Sequence, residues 1–508
     1  MYYISTRGDQ AKVRSVEAII KGLAEDRGLF VPVDLSEIEL DLESMIGLDY
    51  KAVAKIVLAK FLTDFTDDEI AYCVDSAYDD KFDSKEITPI IKTKEAYFLE
   101  LYHGKTAAFK DMALSILPHL LMTSIKKTGE KKKVVILTAT SGDTGKAALA
   151  GFADVEGTEI FVFYPKSGVS AVQERQMVTQ AGDNVHVYGI TGNFDDAQTG
   201  VKDVFNDRAF EELLSEKNLR LSSANSINIG RLVPQVAYYV NAYLKLREDG
   251  ELEKDEKINI CVPTGNFGNI LAAYYAREMG VPVNKFICAS NENKVLTDFI
   301  NTGEYDAKRD FILTTSPSMD ILISSNLERL IYHLAEGNSR QVASLMRSLD
   351  GDGFYEVTGR VKEGLLDFFG GYADMPTAHY CLAKLFEEEN YLIDTHTAVG
   401  YSVYLDYVAK TNDKTKTLIA STASAYKFAG SVASSLGLSA GDDEFDCIKE
   451  INEVSKVPIP EGLMDLDKKE VLHGLVIEKE EIKSTIESDL LYTGSVKIYK
   501  GLKGESNE

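Results

Sequence analysis

The feature that most constrains this fold is a repeated order of a short apolar strand, a turn of small residues and a helix. Residues 133–137 (KVVIL) are apolar and β-branched, and a Gly/Ser/Thr turn and a helix over about 144–154 follow them. The order restarts at 258–262, ahead of a glycine-rich turn and a helix over about 269–279. Short buried strands that alternate with helices predict parallel sheets with crossover helices, which is an α/β fold.

Other segments repeat this pattern and divide the chain. We predict strands at 160–164, 185–188, 286–289 and 417–420, and helices at 112–121, 170–181, 195–214 and 230–246. Two such series indicate two parallel-sheet α/β lobes, with ligands at the carboxyl ends of the strands. We assign a mainly helical N-terminal unit to 1–92, a core to 93–430 with its smaller lobe at about 118–215, and an extension that completes the larger lobe to 431–508.

The net charge of −25 argues against nucleic acid or an anionic membrane as a partner. An anionic ligand therefore needs a local group of cations and backbone N–H groups. The five cysteines are odd in number and form no CxxC pair, so we expect them to be reduced and mostly buried, with no metal site. We see neither a signal peptide nor a run of about 20 apolar residues, and we expect a cytoplasmic protein.

Lys110 is the first candidate for chemistry. It lies in the segment HGKTAAFKD (103–111), among small residues and ahead of an apolar helix. A lysine that forms a Schiff base needs a partly desolvated pocket, because burial favours the neutral, nucleophilic amine. The alternative is an ordinary solvated lysine at the start of a helix, and this segment taken alone favours that alternative.

Two strand-to-helix turns offer sites for anions. The turns TATSGDTGK (138–146) and PTGNFGN (263–269) each follow a strand and open a helix, where free N–H groups and the helix dipole attract negative charge. The first lacks the Walker spacing and the second lacks a full GxGxxG, which argues against a nucleotide-binding protein. The alternatives are a tight turn capped by Asp143 or Thr144, and a glycine-eased turn without a ligand.

Two further segments carry polar side chains near the ends of elements. The segment NSINIGR (225–231) combines amide, hydroxyl and guanidinium groups that suit a tetrahedral dianion. Its alternative is capping of the next helix by Asn228, with Arg231 at the surface. The segment ASTASAYKF (420–428) follows a predicted strand, and its hydroxyls either pair with a ring nitrogen or form an ordinary polar loop.

Together and in this order, the five segments resemble those of one family. They look like the microbial and fungal type of threonine synthase, in the pyridoxal-phosphate (PLP) fold type II group with the tryptophan synthase β subunit. The starting segments YYISTRG and EDRGLFVP, with 316–330 and 394–401, extend the likeness over nearly the whole chain, and the match is weakest after about residue 455. The resemblance implies a fold type II core and the conversion of O-phospho-L-homoserine and water to L-threonine and phosphate, by a monomer or homodimer.

The resemblance also implies a role for each candidate residue. Lys110 would hold PLP as a Schiff base and then carry protons, and Thr422 would face the pyridine nitrogen. The cofactor phosphate would lie against Gly265, Asn266, Phe267, Gly268 and Asn269. The substrate side would be formed by Ser141, Asp143 and Thr144 at the carboxylate, and by Asn225, Ser226 and Arg231 at the phosphate.

Two positions depart from the pattern of related enzymes. Asp143 stands where many fold type II members have Asn, and Lys105 stands where relatives often carry Pro. Lys105 either gathers phosphate or is merely exposed, and His396 either carries a proton or is structural. One competing function is that of a serine or threonine dehydratase, and the anion site at 225–231 argues against it. Another is that of a non-catalytic binder of PLP or a phosphorylated ligand, and the presence of Lys110 argues against it.

Overall fold

The computed structural model describes residues 1–8, 11–439, 441 and 443–491. Its longer strands are buried along most of their length, as the apolar β-branched runs predict. In chain order the strands are β1 (Tyr2–Ser5), β2 (Val13–Arg14), β3 (Phe30–Pro32), β4 (Ile90–Lys92), β5 (Tyr97–Glu100), β6 (Lys133–Ala139), β7 (Thr158–Pro165), β8 (Val185–Ile190), β9 (Leu219–Ser223), β10 (Ile258–Pro263), β11 (Val283–Ser290), β12 (Glu304–Asp306), β13 (Phe354–Glu356), β14 (Phe368–Tyr372), β15 (Thr417–Ser421) and β16 (Val476–Ile477).

The helices alternate with these strands through the central part of the chain. In chain order they are α1 (Ser15–Lys21), α2 (Leu42–Met45), α3 (Tyr50–Phe61), α4 (Asp67–Ala77), α5 (Asp111–Leu114), α6 (Leu117–Thr128), α7 (Asp143–Phe152), α8 (Ala171–Val178), α9 (Phe194–Asn206), α10 (Arg208–Glu216), α11 (Ile229–Glu248), α12 (Gly268–Glu278), α13 (Val295–Thr302), α14 (Leu327–Leu334), α15 (Ser339–Asp352), α16 (Arg360–Gly364), α17 (Met375–Glu389), α18 (Thr395–Thr411), α19 (Ala429–Ser435), α20 (Glu444–Ser455) and α21 (Ile482–Leu491). Among the described residues, no helix is both long enough and apolar enough to span a membrane.

Two sheets form the core, which confirms the predicted α/β class. The larger sheet has the order β14-β11-β10-β15-β5-β4, and all its pairs are parallel except β4–β5. The second sheet has the order β16-β8-β7-β6-β9 and is parallel throughout. Helix α18 packs on four strands of the larger sheet, and α7 and α9 pack on the second. Crossover helices of this kind keep both faces of a parallel sheet out of water.

The prediction of one helix over 112–121 is wrong. Helix α5 ends at Leu114 and α6 begins three residues later. Pro118 has no N–H to donate to the Leu114 carbonyl, so a continuous helix would lack that bond. The freed carbonyl oxygen packs closely against α7, where a Cβ added at Gly151 would lie only 2.2 Å from it. Glycine at position 151 therefore permits the close approach of α5 and α7.

The single helix predicted over 195–214 is also wrong, because Asp207 separates α9 from α10. Its backbone has φ −82° and ψ 94°, which is extended, and its side chain accepts a hydrogen bond from the N–H of Phe210. An aspartate that caps the next helix competes with continuation of the preceding one. The apolar periodicity runs through this junction and does not reveal the break.

Several elements lie outside the sequence predictions. The N-terminal region adds an antiparallel sheet of order β2-β1-β3 to its helices α1–α4. Strands β9 (LRLSS) and β14 (FFGGY) lack a continuous apolar run, and glycine has low strand propensity. Strand β9 lies beyond the range 118–215 yet belongs to the second sheet. In the C-terminal extension, β16 joins that same sheet and α21 packs on α9, so these parts do not add to the larger sheet.

Candidate active site

A cavity of about 1100 Å³ is lined by residues from both sheets. The turns that follow β6, β9, β10 and β15 all contribute to its wall, as expected for the carboxyl ends of parallel strands. Every candidate residue lines it: Lys110, Ser141, Asp143, Thr144, Asn225, Ser226, Arg231, Gly265, Asn266, Phe267, Gly268, Asn269 and Thr422. Five segments that are far apart in sequence therefore converge on one space.

Lys110 is buried at the start of α5 rather than solvated. Its Nζ donates to Asp143 Oδ2 at 3.3 Å and to Ser318 Oγ at 3.2 Å. Burial lowers the pKa of Lys110, Asp143 opposes this shift, and the nearby Lys427 and Arg231 reinforce it. The lowered pKa favours the neutral amine, which is the form that acts as a nucleophile or a base.

Asp143 lies between two lysines. Its Oδ2 faces Lys110, and its Oδ1 is 2.9 Å from Nζ of Lys427 and accepts a hydrogen bond from Gln173 Nε2 at 2.8 Å. Burial alone would raise the pKa of Asp143, but the two lysines outweigh it and hold that pKa well below its usual range. The carboxylate is therefore ionised and shared between the amino group of Lys110 at the cavity wall and that of Lys427 behind it.

The alternative of Asp143 or Thr144 as a helix cap is wrong. The cap position of α7 is occupied by Gly142, with φ 132°, and the hydroxyl of Thr140 accepts from the N–H of Gly145 in the first turn at 2.8 Å. A Cβ on Gly142 would lie 2.5 Å from the Gln173 amide, so glycine is required for this turn both by its φ and by space. Because Asp143 does not cap α7, its carboxylate is available to the two lysines.

The turn 263–269 brings its backbone to the cavity wall at the start of α12. A Cβ on Gly265 would lie 2.5 Å from the Ser318 carbonyl oxygen, so this position has no room for a side chain. Phe267 adopts φ 63° and precedes the first helical residue. The first N–H groups of α12 have no partner within the helix, and the helix dipole is positive at this end. The turn therefore has the features of an anion site.

Asn269 places an amide beside this turn. Its Oδ1 accepts hydrogen bonds from the hydroxyls of Tyr238 and Tyr239, which fixes the orientation of the amide. Its Nδ2 is buried and has no partner in the structure. A buried donor without a partner is costly, and an anionic or carbonyl-bearing ligand in the cavity would satisfy it.

The segment 225–231 presents a buried guanidinium. Asn228 caps α11 by accepting from the N–H of Gly230 at 2.9 Å, so the capping alternative is correct for this residue. Arg231 is only 3% exposed, so the alternative of a surface arginine is wrong. Its Nη1 donates to the Ala224 carbonyl at 2.9 Å, whereas Nε is buried without a partner. Burial lowers its pKa to about 10, which still leaves it charged at neutral pH.

The other wall residues have clear partners. The backbone N–H of Thr422 donates to Thr397 Oγ1 at 3.2 Å. His396 Nδ1 lies 3.0 Å from Asp394 Oδ1, and its Nε2 accepts from the backbone N–H of Ser318 at 3.1 Å. With both ring nitrogens paired, His396 supports the segment that carries Ser318. Lys105 is exposed and does not belong to the cavity wall.

Sequence reasoning missed two residues, one that contacts Asp143 and one that contacts Lys110. Lys427 is fully buried and donates to the Thr106 carbonyl at 2.9 Å as well as facing Asp143. A lysine within an apolar run (AYKFA) is the only signal of its burial in the sequence. Ser318 lies in the segment 316–330, which contributes to the family likeness, but no role was predicted for this residue.

Comparison with known proteins gives the following similarities. Residues 2–78 match a family model described as "Threonine synthase N terminus", and residues 82–423 match one described as "Pyridoxal-phosphate dependent enzyme". A relative called threonine synthase-like 1 from Homo sapiens is 39% identical over 455 residues, which cover 86% of this chain. The aligned region spans only 59% of the length of that human protein.

Two more relatives match along nearly their full lengths. Threonine synthase from Saccharomyces cerevisiae is 33% identical over 96% of this chain and 98% of its own. The crystal structure of PLP-bound threonine synthase from Brucella melitensis has a TM-score of 0.84 and 32% identity, and covers 96% of this chain and 98% of its own. The likeness thus includes the small antiparallel sheet and helices of the N-terminal region as well as the two-sheet core.

Proposed function

Because this chain belongs to the threonine synthase family of PLP-dependent enzymes, we propose that it converts O-phospho-L-homoserine and water to L-threonine and phosphate. The observation that carries the proposal is that one buried lysine and two separate segments with groups suited to anions line a single cavity. One site is the turn 263–269, which we name the cofactor loop, and the other is 225–231, which we name the substrate loop. A reaction that expels phosphate from a PLP-bound substrate needs both.

The residues of the cavity fit PLP. Lys110 is buried with a lowered pKa, as an amine that attaches to the cofactor aldehyde requires. The cofactor loop offers backbone N–H groups at a helix start, and the unpaired Nδ2 of Asn269 adds a donor. Thr422 lines the same cavity and offers a neutral hydroxyl that would face the pyridine nitrogen. When bound, PLP supplies an electron sink for negative charge at the substrate Cα.

Lys110 is proposed to move the protons of the reaction. A free amine at this position takes a proton from the substrate Cα and assists the removal of a second proton from Cβ. It then returns protons to the product. Asp143 lies 3.3 Å from Lys110 Nζ and holds the amine towards the cavity. Because Lys427 is paired with the same carboxylate, Asp143 cannot hold the proton of Lys110 as strongly as an isolated carboxylate would.

Arg231 is proposed to bind the substrate phosphate together with Asn225 and Ser226. Its unpaired, buried Nε and its planar guanidinium suit an anion with several oxygens. The bond between Cγ and the phosphate oxygen breaks only after Cβ is activated, and water then adds at Cβ. Water must therefore be kept from the reacting atoms at the start, and a substrate that fills the cavity between the two sheets would help to do so.

The proposed partner is a small anionic substrate, and the guanidinium of Arg231 in the cavity wall provides a local positive charge in a chain whose net charge is −25. We propose a cytoplasmic enzyme that acts as a monomer or a homodimer.

The test supplies the purified protein, loaded with PLP, with O-phospho-L-homoserine and measures phosphate and threonine together. Equal amounts of the two products are expected. Release of phosphate without threonine would favour an enzyme that only eliminates, and ammonia formed from serine or threonine at a higher rate would favour a dehydratase. Absence of any product from the PLP-loaded protein would favour a non-catalytic relative.

A further inference from the structure

Arg329 is a wholly buried arginine outside the cavity wall, and it reaches two distant segments as well as the cap of its own helix α14. Its Nε donates to the Phe30 carbonyl at 2.9 Å, in strand β3 of the N-terminal region. Its Nη2 donates to the Ile227 carbonyl at 2.5 Å, in the middle of the substrate loop. Its Nη1 donates to the side-chain oxygen of Asn326. One guanidinium thus joins the N-terminal region to the substrate loop.

The contact with Asn326 extends this connection to the cofactor loop. Asn326 Nδ2 donates to the Asn266 carbonyl at 2.9 Å, and its backbone N–H donates to the same oxygen at 3.1 Å. Because Arg329 holds the amide oxygen, the amide nitrogen is turned towards Asn266. The guanidinium therefore contacts the substrate loop directly and reaches the cofactor loop through the side-chain amide of Asn326.

The neighbouring residue anchors the same helix to the N-terminal region. Glu328 is buried and accepts from Arg7 Nε at 2.9 Å and from Arg7 Nη2 at 2.7 Å, and it also accepts from the hydroxyl of Thr6. The substrate loop has a second contact with this region, because Asn228 Nδ2 donates to the Ile19 carbonyl at 3.1 Å. The N-terminal region thus contacts the substrate loop through Ile19 and, by way of Arg329, through Ile227.

We propose that Arg329 is a positioning residue that sets the two phosphate-binding loops relative to each other and to the N-terminal region. A flat guanidinium with several fixed donors is suited to this, since it can hold three oxygens in one geometry at once. Burying such a charge is costly, and oxygens that accept from it at fixed positions offset that cost. The N-terminal region then serves as a support for the substrate loop and has no need of reactive groups of its own.

This inference rests on the proposed function, because it concerns the loops assigned to the two phosphates. The variants that test it are Arg329→Met, Arg329→Lys and Asn326→Ala. Arg277→Met is the control for loss of an arginine, since Arg277 is mostly buried and pairs with Asp367 and Glu278, which lie outside both loops. For each holoenzyme we would measure retention of PLP during dialysis, the dissociation constant of inorganic phosphate by calorimetry, and KM and kcat for O-phospho-L-homoserine.

Arg329→Met is expected to weaken phosphate binding and PLP retention by about tenfold or more, because charge-assisted hydrogen bonds to both loops are lost. KM should rise more than kcat falls. Asn326→Ala should weaken PLP retention and leave phosphate binding close to wild type. Arg329→Lys keeps the charge but not the fork of donors, so its PLP retention and phosphate affinity should lie between those of wild type and Arg329→Met. If Arg329→Met does not fold, Arg329→Lys alone is compared with wild type.

Equal values of both ligand measurements in wild type, Arg329→Lys and Arg329→Met would overturn the inference, and so would equal losses in Arg277→Met. If the wild-type holoenzyme binds no inorganic phosphate, the proposed substrate site is wrong, and the PLP measurement then decides the inference alone. In that case, weaker PLP retention in the Arg329 variants supports the positioning role, and unchanged retention contradicts it.

Discussion

Nζ of Lys427 lies 2.9 Å from Oδ1 of Asp143, and both side chains are shielded from solvent. This buried ion pair stands directly behind Lys110, which contacts the other oxygen of the same carboxylate. The pair explains how an ionised aspartate is accommodated in the buried wall of the cavity. The second lysine neutralises the aspartate, so the charge near Lys110 stays balanced.

Replacing Lys427 by Met is expected to destabilise the protein by about 3–5 kcal/mol, because one partner of a buried ion pair is left behind. The free energy of unfolding in urea measures this. The double variant Asp143→Asn with Lys427→Met removes both charges and should recover a large part of the loss. A double variant no more stable than Lys427→Met alone would contradict the importance of the pair.

Gly265→Ala is expected to lower PLP retention by at least about tenfold, since a Cβ 2.5 Å from the Ser318 carbonyl must displace the cofactor loop or the facing segment. Dialysis of the holoenzyme against PLP-free buffer measures it. Gly351→Ala is the control, because a Cβ there meets nothing within 4 Å. Retention in Gly265→Ala equal to that of the control would show that the loop tolerates the change.

Arg231→Ala is expected to raise the KM for O-phospho-L-homoserine by about tenfold or more, which corresponds to loss of a charge-assisted contact. The PLP content should stay close to that of wild type, because the cofactor phosphate is assigned to the other loop. Arg231→Lys keeps the charge and should restore part of the affinity. Loss of PLP with an unchanged KM would mean that the two phosphate sites have been exchanged.

The pH dependence of stability should carry a contribution from His103. Its ring lies 2.5 Å from Asp83 Oδ1 and 2.8 Å from Glu100 Oε2. Burial would lower its pKa, but hydrogen bonds to the two carboxylates outweigh this and raise the pKa to about 9. A raised pKa stabilises the fold below the unfolded value of about 6.5, and the stabilisation is lost as the pH rises through about 9.

We therefore expect His103→Gln to cost about 2–3 kcal/mol of unfolding free energy at pH 6 and much less at pH 10. Urea unfolding at the two pH values measures the difference. A cost that is the same at both values would mean that the imidazole contributes by packing alone.

Pattern in the sequence was enough for those buried parallel strands that are continuous apolar runs, such as β6 and β10. The family likeness assigned roles to Lys110 and to 225–231, and the pattern itself marked the turns 138–146 and 263–269 as candidate anion sites, since turns after strands meet at one edge of a sheet. The pattern was not enough for Lys427 or Arg329. Their partners Asp143 and Phe30 lie hundreds of residues away, so only the folded chain brings them together.

The breaks and short strands were also beyond the pattern. Apolar spacing continues across Asp207, where a capping hydrogen bond decides the break, and Pro118 interrupts a run that is otherwise helical. Strand β2 is two residues long and exists only through its pairing with β1. Elements of this kind depend on tertiary contacts more than on local preference.

Chemical trapping of the cofactor shows which lysine holds it, and we expect that lysine to be Lys110. The PLP-loaded protein is treated with borohydride, which makes the cofactor–lysine bond permanent, and the peptides are then mapped by mass spectrometry. We predict one cofactor adduct, on the peptide that contains Lys110, and no adduct in Lys110→Ala, while Lys105→Ala keeps it. An adduct on Lys427 or another lysine of the wild-type protein, or one that persists in Lys110→Ala, would contradict the account.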